Sequence, residues 1–253
     1  MRFKAVLLAA TALIGASAYG DMFKPSKAQQ IKLGEQASLE LRKKERVLPE
    51  SDERVILLRR VGSRLLNAMP ERAKDWPYTF DVIQSKEVNA FALPGGKVFF
   101  YTGLLDKLTT EDQLAGVLGH ELTHVWKEHW AYAYRDAQKR NLLLSLGLVV
   151  GRANSNVANV AGISSQLIFD LPFSRKHESE ADDGGFDSML AAGYNPNGEA
   201  DVFRLLQSLS GSGKNPEFLS DHPADKNRIA HMEDRIRKAN RAFPAQRKLP
   251  WVR

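Results

Sequence analysis

The sequence predicts an α+β fold, mostly helical, with a short β-sheet beside one central helix. Three observations carry this. Helical hydrophobic periodicity dominates both flanks of the 253-residue chain. Between Tyr78 and Tyr101 the pattern changes to runs rich in β-formers. The pentapeptide His120-Glu121-Leu122-Thr123-His124, which reads HExxH, sits in the first long helical stretch after those runs.

Taken in order, Met1-Arg2-Phe3-Lys4 is a basic start, Ala5 to Ala16 a short apolar run, and Ala16-Ser17-Ala18 a small-x-small cleavage site, with Ala18-Tyr19-Gly20 a second choice. This is the pattern of a secretory signal peptide over residues 1–18. The apolar run falls short of the ~20 residues that cross a bilayer, so cleavage is preferred over an uncleaved anchor. The chain has no cysteine, hence no lipoprotein acylation site and no disulfide. Ser26 to Val47 and Pro49 to Met69 read as two amphipathic helices, with Asp52 and Glu53 near the start of the second. Tyr78 to Gln84 is a strand, and Val88 to Leu93 and Lys97 to Tyr101 form a hairpin around Pro94-Gly95-Gly96.

Thr110 and Gln113 make a capping box for a helix expected to run to about Arg140. A second helix is expected after Asn141. Leu142 to Val150 is strongly apolar but too short to span a membrane, and reads as a buried segment in preference to a lid. Asn154 to Ser165 has the composition of a flexible connection or a loosely packed helix. Ser174 to Ala192, Pro196 to Leu209 and Pro223 to Ala239 complete the helices. No Gly/Ser/Pro-rich linker divides the middle of the chain, so residues 19–253 are expected to form a single domain.

The formal net charge is +6, of which Arg2 and Lys4 leave with the signal peptide. Basic clusters at 42–46 and from Arg235 to Lys248 are interleaved with acids and read as solvated faces. No nucleic-acid module is present, and nucleic acid is not an expected partner.

In HExxH the two histidines are about one helical turn apart and share a face. They can grip one zinc ion, with Glu121 beside it as a general base. A third ligand must come from elsewhere. The extended HExxHxxGxxH pattern fails, because Lys127 and Trp130 stand at its last two fixed positions. On a continuous helix His129 is turned roughly 140° from His124, so it is not expected at the metal. Glu178 is the best downstream candidate. Asp182 lies four residues on, placed to hold a histidine ligand by its free ring N–H. Glu180, about 160–200° from either on a helix, is expected to have no metal role. Against this stands the ordinary reading of Glu178, Glu180 and Asp182 as a solvated acidic face.

HExxH followed by Glu178-Ser179-Glu180-Ala181-Asp182 resembles the HtpX-like and CAAX-prenyl-protease-type zinc metallopeptidases, peptidase family M forty-eight. Asn89-Ala90-Phe91-Ala92-Leu93-Pro94-Gly95-Gly96, Tyr101-Thr102-Gly103-Leu104-Leu105 and His222-Pro223 with Arg228-Ile229 are similar to further segments of that family. The resemblance is closest to its periplasmic BepA-like members, without the tetratricopeptide repeat domain those often carry. It implies a gluzincin-like zincin fold and one Zn²⁺ per chain on His120, His124 and Glu178. Glu121 would be the base that activates water for attack on a peptide carbonyl, and Asp182 would orient a ligand histidine. His222 would lie near the zinc, capping it in a latent form or stabilising the oxyanion, the latter with help from Arg228. The Asn89, Ala90, Phe91 strand would be the edge that binds an extended peptide. The activity implied is endoproteolysis of unfolded or misassembled envelope proteins in the periplasm or after secretion, with peripheral contact to membrane or envelope proteins. The alternative is a zinc-bearing chaperone or peptide-binding protein that does not cut. His177 and His231 are expected to be ordinary surface or packing residues.

Overall fold

The computed structural model describes residues 23–148, 171, 173–211, 216–222 and 226–252, with the backbone alone for 142–148 and 226. The signal-peptide segment, the packing of Leu142 to Val150, the Asn154 to Ser165 connection and Pro223 lie outside the described residues.

Helix α1 (Lys27–Lys44) starts at a capping box. Ser26 Oγ accepts the Gln29 N–H and the Gln29 side chain accepts the Ser26 N–H, so two orphan donors are satisfied together. Helix α2 (Glu53–Ala68) begins four residues after the expected start at Pro49, because Asp52 caps it by accepting from the Arg54 N–H. A short helix α3 (Glu71–Lys74), with no signal in the sequence periodicity, leads to the sheet. Strands β1 (Thr79–Ile83), β2 (Ala90–Leu93) and β3 (Lys97–Tyr101) pair in the order β1-β3-β2. The β2–β3 hairpin is antiparallel, with Ala90 opposite Phe100, and β1 runs parallel to β3. Gly95 and Gly96 turn the hairpin at φ 84° and 91°, a region that L side chains rarely adopt. One edge of this sheet is therefore β2.

After the short helix α4 (Thr102–Leu105) comes α5 (Glu111–Trp126), capped reciprocally by Thr110 and Gln113 as the sequence predicts. Every residue from Glu111 to Val125 is buried, which makes α5 the axis of the molecule. It packs on β2, α2, α7 (Arg175–Ala191) and α8 (Asn197–Gly211). Its close approach to α7 rests on missing side chains. A Cβ on Gly119 would stand 3.1 Å from the Cα of Gly185. Around this axis Leu58, Val61, Leu65, Phe100, Leu104, Leu114, Leu118 and Leu122 form a core with essentially no exposure. Each such side chain contributes roughly 1.5–3 kcal/mol by leaving water. The chain's end ties down the start of α5, where Arg247 C=O accepts the otherwise orphan Glu111 N–H at 2.7 Å.

The expected single helix from Thr110 to Arg140 is two. Helix α5 ends at Trp126, Glu128 takes a left-handed φ of 56°, and α6 (His129–Leu148) starts afresh. The break is imposed by tertiary partners. The Glu128 carboxylate is held by Lys24 and by Gln30 Nε2 at the end of a distant segment. Two further helices close the site, α9 (Glu217–Asp221), which the sequence pattern did not show, and α10 (Lys226–Lys238). Among the described residues no helix is long and apolar enough to cross a membrane.

Candidate metal centre

Three elements meet at one buried point. Helix α5 presents His120 and His124 from one face, with Glu121 between them. Helix α7, capped by Ser174, presents Glu178 and, one turn later, Asp182. His222 stands at the C-terminal end of α9, its N–H donating to the Phe218 carbonyl at 2.8 Å. All six residues are at most 3% exposed, so Glu178 and Asp182 are not part of a solvated acidic face.

The inward-facing atoms crowd together. His120 Nε2 and His124 Nε2 are 3.0 Å apart, and the Glu178 carboxylate lies 3.5 Å from each. His222 Nδ1 is 3.1 Å from Glu178 Oε1 and 3.2 Å from His120 Nε2, and its Nε2 is 3.3 Å from Glu121 Oε1. One donor atom from each of His120, His124, Glu178 and His222 lies within 4.8 Å of the others. This is the donor set of a nitrogen- and oxygen-ligated dication. Its tautomers fit as well. Asp182 Oδ1 accepts from His120 Nδ1 at 3.0 Å, which puts that ring's proton on the outer nitrogen and leaves Nε2 a lone pair facing in. The same carboxylates would draw a proton onto His120, and they raise its pKa in spite of its burial. A cation held by His120 Nε2 would stand where that proton would otherwise sit. Burial sets His124 well below its ordinary value, so it is a neutral ring.

Arg228 stands behind the carboxylates. Its Nε and Nη2 donate to Asp182 Oδ2 and Oδ1 at 2.8 and 2.6 Å, and Nη1 is 2.9 Å from Glu178 Oε2. Burial pushes Asp182 up, but the bonds from Arg228 and His120 outweigh it and hold this carboxyl below its usual range. Glu178 is likewise raised by burial and lowered further by the imidazoles of His222, His120 and His124. The expectation that Arg228 assists at an oxyanion is not met, because its guanidinium is committed to the two carboxylates. Glu121 is different. Burial pushes it up to about 7, only partly opposed by His222.

The structure also corrects the placement of His129. Because α6 starts afresh after Glu128, His129 folds back, with its Nδ1 3.0 Å from His124 Nδ1 and its Nε2 3.1 Å from Glu180 Oε2. Glu180 points away from the donor set, as its helical angle predicts, yet it is connected to it. His177 stacks on His129 with centroids 4.7 Å apart, whereas His231 is exposed and pairs with Asp183 at 2.8 Å. The sequence spacing held no sign of the His129 contact, since a continuous helix would have hidden it.

A groove of about 520 Å³ runs along β2 to this point and is lined by Asn89, Phe91, Ala92, Glu121, Phe173 and His222, among others. Asn89 accepts the Ala90 N–H at 2.8 Å and donates to Asp221 at 3.4 Å. Ala90 is fully buried and is not among the described residues that line this groove. The Tyr101 N–H donates to the Asn89 carbonyl, so Ala90 and Ala92 turn their own carbonyls to the outer edge.

An HExxH helix, a carboxylate from a second helix and a groove along a strand edge define a metallopeptidase. Residues 55–236 match the model of Peptidase family M48, and the chain belongs to that family. It is 30% identical over 226 residues to Metalloprotease LoiP of Escherichia coli (strain K12), covering 88% of this chain and 86% of that protein. It is 32% identical over 208 residues to mitochondrial Metalloendopeptidase OMA1 of Bos taurus, covering 76% of this chain and 39% of that one. It is 31% identical over 167 residues to the Beta-barrel assembly-enhancing protease of Escherichia coli (strain K12), covering 63% and 34%. The chain thus spans most of the first relative and little more than a third of the other two. Family and relatives make it a metalloendopeptidase.

Proposed function

We propose that this chain is a zinc endopeptidase that removes unfolded or misassembled polypeptides in the cell envelope. It would reach the periplasm or be secreted by cleavage of residues 1–18, leaving 19–253 as the working domain. The observation that carries the reading is the position of Glu121, which lines a groove along the β2 edge while lying beside three metal-competent side chains. His120, His124 and Glu178 would hold the zinc, and the nitrogen-rich donor set favours that ion over harder cations. Zinc, when bound, supplies a Lewis acid that polarises a carbonyl and acidifies water.

The chain's own residues do the rest. An extended substrate adds to the sheet at β2, where the Ala90 and Ala92 carbonyls accept its backbone N–H groups and Asn89 and Phe91 flank it. Glu121 takes the proton of the attacking water and returns it to the leaving amine. In the metal-free site burial raises this carboxyl to about 7, and a carboxyl placed there can both accept and return a proton. Asp182, fixed by Arg228, orients His120. His222 sits within the donor set itself, which favours a resting-state zinc ligand over an oxyanion donor. Substrates are unfolded or extended polypeptides, with peripheral contact to membrane or envelope proteins and no nucleic acid.

The test is cleavage of an unfolded protein by the zinc-loaded mature chain, run beside Glu121→Gln. Cleavage by wild type alone is the expected result. Equal cleavage by both would remove Glu121 from the mechanism. No cleavage by either, with zinc bound to both and His222→Ala equally silent, would leave a binding protein that holds exposed strands.

A further inference from the structure

Among the described residues no carboxylate faces the outer nitrogen of His124. What faces that atom is another ring, His129 Nδ1 at 3.0 Å. His129 is 1% exposed, and its opposite nitrogen lies 3.1 Å from Glu180 Oε2. An ionised carboxylate only accepts, so the proton of His129 belongs on Nε2. Nδ1 of the same neutral ring is then an acceptor, and only His124 can supply the hydrogen between the two rings. His124 therefore carries its proton on Nδ1, and its Nε2 is a lone pair on the side where His120 Nε2 lies 3.0 Å away. The whole assignment follows from one carboxylate.

We propose that His129 and Glu180 are positioning residues of the metal centre: Glu180 fixes the tautomer of His129, and His129 fixes the tautomer and ring plane of His124. This rests on the reading of His120, His124 and Glu178 as the zinc ligands. It gives α7 two separate tasks on opposite faces. Asp182 holds His120 directly at 3.0 Å, and Glu180 holds His124 through one intervening imidazole. The left-handed Glu128, φ 56°, is what makes the second relay geometrically open, because it ends α5 and sends His129 back toward His124. His177, stacked within 14° of parallel, keeps the His129 ring in its plane, and Phe173 covers His124 with centroids 4.1 Å apart.

The experiment is a zinc titration of the chelator-stripped full chain against a chromophoric competitor, with the Co²⁺ absorption spectrum as a second readout. His129→Phe removes the acceptor and keeps a ring in the packing. It is expected to weaken zinc binding about 10–100-fold, the usual effect of losing a group that orients a ligand. His129→Gln, whose amide oxygen can accept the His124 proton, should recover most of that loss. Glu180 is 38% exposed at its side chain, so Glu180→Ala folds whether or not His129→Phe does. It should lose zinc in the same direction, and the double variant should lose no more than His129→Phe alone. Zinc affinity within about threefold of wild type in Glu180→Ala and in folded His129→Phe would overturn the proposal. His124→Ala separates the two levels. If it loses zinc while those variants keep it, only the relay fails; if it keeps zinc, the ligand assignment itself is wrong.

Discussion

Arg228→Met tests whether the site is held together by charge. Arg228 is 7% exposed and lies in reach of two carboxylates that are themselves at most 3% exposed, through three contacts of 2.6–2.9 Å. Methionine fills similar volume and leaves Asp182 and Glu178 buried without their cation. Breaking a buried ion pair from one side costs roughly 3–5 kcal/mol, most of it the desolvation of the stranded charge. For a chain of this size that is a fall in Tm of roughly 6–20 °C. The assay is urea unfolding of chelator-stripped protein, so that metal binding does not mask the difference. The pH dependence has a definite sign. Asp182 is depressed in the folded state, so its contribution is present above its unfolded pKa of about 3.9 and is lost as pH falls through the folded value. Without Arg228 the carboxyls protonate more readily, and the penalty should shrink from pH 7 toward pH 4. A loss under about 1 kcal/mol at pH 7 would refute the reasoning, since it would mean that the triad is solvated. A loss of turnover with no loss of stability would restore the oxyanion role.

Other outcomes follow from the same geometry. Glu121→Gln should lower turnover by about 10²–10⁴-fold with zinc affinity retained, measured by peptide cleavage and zinc content together. His222→Ala should raise basal cleavage if the ring rests in the metal's open position; unchanged activity and unchanged zinc affinity would end that idea. Gly119→Ala would place a Cβ 3.0 Å from Ser188 Oγ and 3.1 Å from Gly185 Cα. Denaturant midpoints should report roughly 1–3 kcal/mol of overpacking, with zinc loosened because His120 is the next residue. Finally, Glu121 is raised to about 7, so the folded state holds its proton more tightly than the unfolded one. Chelator-stripped wild type should therefore lose about 3 kcal/mol relative to Glu121→Gln as pH rises from about 4.5 to 7. Parallel pH curves for the two proteins would contradict this.

What was legible in the sequence is what local chemistry decides. The capping boxes at Ser26 and Thr110, the glycine turn of the hairpin and the one-turn spacings His120/His124 and Glu178/Asp182 each concern residues a few positions apart. What was not legible depends on partners far along the chain. The kink at Glu128 needs Lys24 and Gln30, and nothing in the local run from Trp126 to Trp130 opposes a continuous helix. The commitment of Arg228 to Glu178 and Asp182 spans 46 residues or more. The parallel pairing of β1 with β3 inserts β3 between two strands that precede it, an order that alternation alone does not specify.

The charges explain why so much polarity can be buried here. Glu121, Glu178 and Asp182 bring three negative charges, Arg228 returns one positive charge, and the imidazoles are neutral when they ligate. The remainder is two negative charges in a site almost without water contact, which a dication cancels. Glu199, also buried and with both oxygens unpaired among the described residues, adds nothing to this sum, because burial and the nearby Asp182 push it well above the usual range and keep it protonated. Without the ion the excess has one outlet. Glu121 is pushed up to about 7 chiefly by burial, with the charges of Glu178 and Asp221 adding to it, and so takes up part of a proton near neutral pH. A dication bound beside it would oppose that uptake and favour the ionised carboxylate. Completing the metal centre would thus also favour the ionised form of Glu121 that a general base requires.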